Sequence, residues 1–267
     1  LRFKKLSRGV QIIRKKLFER FYSPSILQKS TSIILTKKNM DNLQNKFIKA
    51  INASFSAYNK KGGARSNKKL IPIHKFLSET ILGKLKNGYS IKSLGIGDGK
   101  EATIDGKYYP KDLDVAIFKN NKIVATVSFK FVTSNYQQNA NNYFENLMGE
   151  TANIRRQNIG FAHFLVLRGH TPYYSKNKGN LRGKEKKIEI ISEKHLQKYI
   201  KLFNDMDFPH KPDLIGVCLL DFNKNKKATL VNLDDFDFSI ETKRLLENEF
   251  SFNKFLDKFI HLVNLKS

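Results

Sequence analysis

Hydrophobic and polar positions alternate in two neighbouring segments near the middle of the chain. In the segment 123–131 the odd positions are apolar, whereas the even positions include Ser128 and Lys130. A period of two is typical of a β-strand whose two faces meet different surroundings. The segment 112–119 has the same period, and an Asn-Asn pair separates the two segments. The pattern therefore predicts a β-hairpin with strands at 112–119 and 122–132.

Segments with a period near 3.6 residues surround this hairpin and predict helices. A helix is predicted at 137–157, directly after the hairpin, and the apolar run 161–168 predicts a buried strand behind it. Further helices are predicted at 41–58, 73–85, 195–203 and 241–265, further strands at 91–96, 187–191 and 214–220, and a polar loop at 169–187. The order predicts an α/β fold with a small mixed β-sheet flanked by helices.

Pattern and charge divide the chain into three regions. Residues 1–60 are predicted as a basic helical N-terminal region, and residues 61–235 contain all the predicted strands and form the core. Residues 236–267 are predicted as a C-terminal helical segment that packs on this core. With 267 residues, of which 40% are hydrophobic, the chain can bury a core without disulfides or a structural metal.

Positive charge dominates the composition. There are 49 Lys and Arg residues against 24 Asp and Glu residues, a formal net charge of +25. Such a surface repels itself unless a polyanion is nearby, and nucleic acid is the first candidate, with an acidic membrane surface second. No apolar run approaches the roughly 20 residues that span a bilayer. We therefore expect nucleic acid as the partner and no membrane-spanning segment, while charge alone does not separate DNA, RNA and lipid.

The hairpin also carries the candidate chemistry. Asp112 and Asp114 share one face of the first strand, and the hairpin can bring them to the side of the sheet that carries Lys130. Carboxylate oxygens are the ligands that Mg²⁺ prefers, and a nearby lysine can orient a water and stabilise developing negative charge. These are the needs of phosphodiester hydrolysis. The alternative is a plain cross-strand ion pair on an exposed sheet face.

The segments 109–115 (YPKDLDV) and 127–130 (VSFK) resemble the PD-(D/E)xK nuclease superfamily, specifically type II restriction endonucleases. The segments 134–156 and 62–66 are similar to restriction-enzyme segments too, so the resemblance covers about residues 60–220. In that family a first acid bridges the metal, a second acid completes the site and a lysine supports the attacking water. The resemblance assigns these first and last roles to Asp114 and Lys130.

The chain departs from the family pattern at the second acid. Two residues before the lysine the family has a carboxylate, and this chain has Ser128, a poor Mg²⁺ ligand without charge. Some restriction enzymes with Ser-x-Lys supply the acid from the following helix, where this chain offers Glu145 and Glu150. Family spacing favours Glu145, and the helical position beside the apolar stripe favours Glu150, so both are candidates for catalysis and metal binding. Glu101 is a further candidate metal ligand from a neighbouring strand.

Polar and basic residues around the predicted helix are candidates for DNA contact. Asn and Gln pair with adenine and Arg with guanine in the major groove, whereas basic loops bind phosphates. A capping and solubilising polar run is the alternative for those at the helix start. The candidates are Arg65, Lys68, Asn135, Gln138, Asn141, Asn142, Arg155, Arg156, Tyr173 and Lys176.

The resemblance implies a sequence-specific, Mg²⁺-dependent endonuclease acting on double-stranded DNA. It also implies a homodimer, a cognate DNA methyltransferase that protects the host sites, and the cytoplasm of a prokaryotic cell. A lone cysteine, Cys218, cannot form an internal disulfide and fits such a reducing setting. The alternatives are a DNA-binding protein of nuclease fold without cleavage, for which Ser128 is the best argument, and a repair or homing nuclease of the same fold.

Overall fold

The computed structural model describes residues 24–59, 67–155, 157–174, 184–206 and 208–267, with side chains from residue 41 onward. The chain divides into two compact units, Leu1–Asn45 and Lys46–Ser267. In the first unit the described residues are helical. The second unit begins inside the region predicted as N-terminal, because Phe47, Ile51 and Phe55 are buried core residues.

The second unit contains both helices and strands. The helices are α1 (Pro24–Tyr58, which begins in the first unit), α2 (Ile71–Leu82), α3 (Tyr136–Arg155), α4 (Glu193–Asn204), α5 (Ile240–Asn248) and α6 (Phe252–Lys266). The strands are β1 (Tyr89–Ser93), β2 (Ala102–Ile104), β3 (Lys111–Leu113), β4 (Val115–Lys119), β5 (Lys122–Phe131), β6 (Gly160–Arg168), β7 (His170–Tyr174), β8 (Glu185–Ile190), β9 (Leu214–Phe222) and β10 (Ala228–Leu230). Short 3₁₀ helices lie at Asn67–Lys69 and Leu233–Asp235.

A six-stranded mixed sheet with the order β1-β4-β5-β6-β9-β10 forms the centre of this unit. β1, β4 and β5 pair antiparallel, β5, β6 and β9 pair parallel, and β10 returns antiparallel to β9. A parallel pair needs a crossover connection, and α3 provides it between β5 and β6. The predicted α/β class, with a mixed sheet flanked by helices, is confirmed.

The two faces of the sheet bury different sets of side chains. On one face Phe129 stacks on Phe164, and Phe164 meets the rings of Phe47, Phe252 and Phe255 from α1 and α6. On the other face, the intervening residues of β6 pack in a cluster with side chains of α3, α4 and α5. Since α3 lies on this second face, its inward side chains meet the even positions of β5.

Two small ribbons stand apart from the main sheet. β2 pairs with β3, and β7 pairs with β8. The second ribbon corrects the prediction of a continuous polar loop at 169–187. Its strands form because tertiary contacts hold them: the Gln137 backbone N–H donates to Glu189, and the Tyr174 backbone N–H donates to Asn135. These contacts tie the ribbon to the start of α3.

Two further segments differ from the sequence prediction. The C-terminal helix predicted at 241–265 is two helices, α5 and α6. The helix is interrupted at Phe250. This residue is buried, and its carbonyl accepts a hydrogen bond from the Val217 N–H of β9. In the described part of the chain, no helix is both long enough and apolar enough to cross a membrane.

Candidate active site

Asp114 lies where the chain leaves one sheet and enters another. The strand predicted at 112–119 is interrupted there, because β3 pairs with β2 whereas β4 joins the main sheet. The Phe129 backbone N–H donates a hydrogen bond of 2.8 Å to Asp114 Oδ2. This bond fixes the carboxylate beside β5. The exposed Asp112 accepts a hydrogen bond from Thr103 on β2, so its contact is with the ribbon.

Lys130 approaches the same carboxylate from β5. Its Nζ atom lies 3.9 Å from Asp114 Oδ2, and the side chain is only partly exposed. Lys130 and Ser128 share the face of β5 that α3 covers, as the alternation along the strand predicted. Asp114 and Lys130 therefore meet on one side of the sheet.

Glu150 reaches this place from α3. The Ser128 hydroxyl donates to Glu150 Oε2 at 3.1 Å, and its oxygen lies 3.4 Å from Asp114 Oδ2. Because both atoms lie close to the same hydroxyl oxygen, Asp114 Oδ2 and Glu150 Oε2 are near each other. Glu150 is buried, with 8% of its surface exposed. The helix thus supplies a second carboxylate next to the first, at the position where the strand itself has a serine.

Asp114, Ser128, Lys130 and Glu150 together form an acid and lysine cluster. Glu145 does not take part in this cluster. It is exposed, and its carboxylate interacts with Lys198 of α4. Between Glu145 and Glu150 the helix turns by about 140°, at 100° per residue, which separates the two side chains. The structure brings only Glu150 to Asp114 and Lys130, so the placement of Glu145 at the site is corrected.

Lys111, which sequence reasoning did not select, completes an ion-pair network around Glu150. Its Nζ atom lies 3.0 Å from Glu150 Oε1. Burial acts to raise the pKa of Glu150, but the ammonium groups of Lys130 and Lys111 bring it below its ordinary value. Burial acts to lower the pKa of Lys111, but Glu150 and Asp114 raise it above its ordinary value. Both partners are therefore charged at neutral pH.

Glu101 and His74 adjoin the cluster from β2 and α2. Glu101 immediately precedes β2, and its Oε1 atom lies 4.0 Å from Nδ1 of the wholly buried His74. Burial, followed by the negative charge of Asp114, raises the pKa of Glu101. Burial lowers the pKa of His74. Glu101 is therefore close enough to Asp114 for their charges to interact.

His163 lies behind the cluster on β6, directly opposite Ser128 in the parallel register. It is buried, and its Nδ1 atom has no hydrogen-bond partner within the described ranges. Burial lowers the pKa of His163 to about 4, so the ring is neutral at neutral pH. The available sequence signal was its position in the middle of the apolar run 161–168.

The DNA-contact candidates differ in their surroundings. Arg65, Arg156 and Lys176 lie outside the described residues. Lys68, Gln138, Asn141 and Asn142 are exposed, and Asn141 Oδ1 lies 3.3 Å from Lys198 Nζ. Tyr173 is half-buried, with Lys187 Nζ 5.5 Å from its ring centre.

The side chains of Asn135 and Arg155 make hydrogen bonds and an ion pair within the protein. The Asn135 side chain exchanges hydrogen bonds with the backbone of Tyr174. Arg155 forms an ion pair of 2.9 Å with Asp213 and donates to the carbonyl of Lys211 at 2.8 Å. These bonds join α3 to the second ribbon and to the segment before β9.

Comparison of the chain with protein-family models, with curated proteins and with solved structures finds no match. The site is therefore interpreted from its own geometry. Within the described ranges, no group of three or more His, Cys, Asp and Glu side chains is arranged to hold a metal ion. The paired carboxylates of Asp114 and Glu150 still fit Mg²⁺, since this ion is held by one or two carboxylates and keeps several waters.

Proposed function

We propose that this protein is a Mg²⁺-dependent endonuclease that hydrolyses phosphodiester bonds in double-stranded DNA. One observation carries the proposal: Asp114 from the sheet and Glu150 from the helix face the same Ser128 hydroxyl, beside Lys130. The order of hairpin, helix and parallel strand around them supports it. So does the net charge of +25, which suits a polyanionic substrate.

Each residue of the cluster has a chemical role in this proposal. Asp114 and Glu150 would hold Mg²⁺, which when bound lowers the pKa of a water and neutralises charge on the phosphate. Lys130 orients the attacking water and stabilises the negative charge that develops on the phosphate. The Phe129 N–H and the Ser128 hydroxyl orient the carboxylates.

The finer proposal is a type II restriction enzyme of a prokaryotic cell. Gln138, Asn141 and Asn142, exposed near the start of α3, supply amide groups that can read base edges. A homodimer would let each subunit cut one strand of a palindromic site. A methyltransferase of the same specificity would protect the host DNA.

Digestion of a sequenced plasmid with Mg²⁺ tests the proposed activity. Discrete fragments are expected from the wild-type protein. The variants Asp114→Asn, Lys130→Ala and Glu150→Gln are each expected to slow cleavage by about 100-fold or more, because each removes a metal ligand or a charge at the reacting phosphate. Glu145→Gln, on the same helix but outside the cluster, is the matched control and should cut at the wild-type rate.

A second candidate is a DNA-binding protein of nuclease fold that does not cleave. It is favoured by Ser128 in place of a carboxylate and by the ion pair that Lys111 forms with Glu150. Digestion in Mg²⁺ and in Mn²⁺, together with a DNA-binding measurement, separates the two functions. DNA binding without cleavage of any sequence in Mg²⁺ or Mn²⁺ would reject the endonuclease and support this second function.

A further inference from the structure

The loop 105–110, between β2 and β3, carries two exposed aromatic side chains. Tyr108 is 66% exposed and Tyr109 is 48% exposed. Within the described part of the chain, neither ring packs against another aromatic ring and neither hydroxyl has a hydrogen-bond partner. Aromatic rings release substantial free energy when they are covered, so two adjacent exposed rings indicate a surface for a partner.

The backbone of this loop is held firmly by Asn153 of α3. Asn153 is fully buried, and its Oδ1 atom accepts hydrogen bonds from the N–H groups of Tyr108 at 2.8 Å and Tyr109 at 3.3 Å. Its Nδ2 atom donates to the Tyr109 carbonyl at 2.9 Å. At Gly106, where φ is +63°, an added Cβ would clash with Asn153 Nδ2. The rings are thus displayed from an ordered backbone, which reduces the entropy lost on binding.

The same loop is next to the acid and lysine cluster. Asn153 follows Glu150 by about one turn of α3. On the other side, the loop runs into Lys111, whose Nζ atom lies 3.0 Å from Glu150. The Tyr109 phenol interacts electrostatically with Lys111. The loop that carries the two tyrosines therefore adjoins the cluster through Asn153 on one side and through Lys111 on the other.

We propose that Tyr108 and Tyr109 stack on nucleobases adjacent to the phosphate that the cluster cleaves. The inference rests on the proposed DNA cleavage and deepens it, since it names a contact to the bases beside the reacting phosphate. Every nucleobase has a flat π face, so an aromatic platform accepts it without regard to sequence. Lys107, exposed beside the tyrosines, carries a charge suited to the neighbouring phosphate. Because the bases of a duplex are stacked on one another, this contact requires that a base step opens or that a base leaves the stack.

Binding measurements on the full chain test the stacking contact. Fluorescence anisotropy without divalent ions would measure affinity for a labelled mixed-sequence DNA duplex and for labelled heparin, a polyanion without bases. Tyr108→Ala and Tyr109→Ala are each expected to weaken DNA binding by about tenfold, the effect of losing one stacked base, and to leave heparin binding unchanged. Tyr108→Phe and Tyr109→Phe keep the ring and should bind DNA as the wild type does.

Two controls isolate the contribution of the rings. Tyr89→Ala removes a tyrosine at the far end of β1, where Tyr89 pairs with Lys119 while Ser93 pairs with Val115 beside Asp114. It should bind DNA normally. Lys107→Gln should weaken DNA and heparin binding together, because it removes only charge. Thermal unfolding of the exposed Tyr108 and Tyr109 variants should match that of the wild type.

The outcomes separate this inference from the proposed function. If the wild type binds and cuts DNA while the alanine variants bind it normally, the stacking contact is rejected and the nuclease stands. Equal losses of DNA and heparin binding would also reject stacking, since heparin has no bases. If the wild type binds no DNA, both proposals fail.

Discussion

At the residue scale, the polar cluster is defined by side chains that compensate one another. Ser128 brings no charge, but its hydroxyl is within reach of both Asp114 and Glu150. Lys111 and Lys130 supply two positive charges against the two carboxylates. A buried carboxylate without such partners would be strongly destabilising. The ion pairs therefore offset the burial of the two neighbouring acids between β5 and α3.

In the proposed Mg²⁺ site, Lys111 would compete with the metal for the carboxylate of Glu150. In Lys111→Gln, the affinity of the site for Mn²⁺ should rise by about tenfold or more, because the ammonium group that lies 3.0 Å from Glu150 Oε1 is removed. Isothermal titration of the protein with Mn²⁺ in the absence of DNA measures this affinity. Lys122→Gln, at the exposed start of β5, is the control and should bind Mn²⁺ as the wild type does. Unchanged affinity in Lys111→Gln would contradict the competition.

At the element scale, the site depends on one interruption and one crossover. The interruption between β3 and β4 turns the backbone at Asp114, so that the acid lies beside β5 while Asp112 bonds to β2. The crossover helix α3 covers the even positions of β5 and presents Glu150 to them. Neither element holds the site alone, because each contributes one carboxylate.

The junction between α4 and α5 is formed by a single carboxylate that accepts several hydrogen bonds. Glu193, at the start of α4, accepts hydrogen bonds from the Ser239 N–H at 2.7 Å and the Ser239 hydroxyl at 2.7 Å. It also accepts one from Thr242 at 2.8 Å. Ser239 is the N-cap of α5. One carboxylate thereby links the first turns of both helices.

This junction predicts a specific dependence of stability on pH. The hydrogen bonds from Ser239 and Thr242 lower the pKa of Glu193 from its ordinary value of 4.5 to about 2. Since the folded pKa is below the unfolded pKa, the contribution is present above pH 4.5 and is lost as pH falls towards 2. Glu193→Gln should therefore be less stable than the wild type at pH 7, and its stability should decline less on acidification.

Urea unfolding of both proteins at several pH values between 7 and about 3 measures the difference. Glu241→Gln, an exposed acid in the first turn of α5, serves as the control and should follow the wild-type curve. Parallel curves for wild type and Glu193→Gln would show that the junction does not contribute in this way.

At the scale of the whole molecule, charge is the dominant property. With a formal net charge of +25, the chain repels itself in water of low ionic strength and attracts polyanions over long distances. The exposed lysines of β8 and of the segment before α2 add to this field on the described surface. Neutralising phosphates with these groups would release counterions, so the proposed binding to DNA is expected to weaken with salt.

We expect the affinity for a mixed-sequence DNA duplex to fall by about 100-fold or more between 50 and 200 mM NaCl, as for a protein that contacts several phosphates. Fluorescence anisotropy without divalent ions measures the affinity at each salt concentration. A double variant of exposed lysines, Lys186→Gln with Lys187→Gln, should reduce the slope of log affinity against log salt. An affinity that does not change with salt would contradict electrostatic binding of DNA.

The predictable part of the fold and site followed from local periodicity. Alternation along β5 placed Ser128 and Lys130 on one face, and the Asn-Asn turn placed a strand with Asp114 beside them. The apolar run of β6 predicted its burial. These features depend on residues near in sequence, whose spacing is set by strand and helix geometry. The ribbon β7–β8 and the break at Phe250 depend on distant partners and were not predicted.

The choice between Glu145 and Glu150 as the second acid shows where the sequence stops being informative and the tertiary structure is needed. By itself the sequence indicated Asp114 and Lys130 as candidates, showed the uncharged Ser128 between them on the hairpin, and showed the excess of positive charge. It left Glu145 and Glu150 open, and it did not select Lys111 or the loop with Tyr108 and Tyr109. Only the tertiary structure showed the positions of these side chains. The rotation of α3 over β5 is set by core packing along the whole helix, and this packing turns Glu150 inward to Ser128 and Lys111.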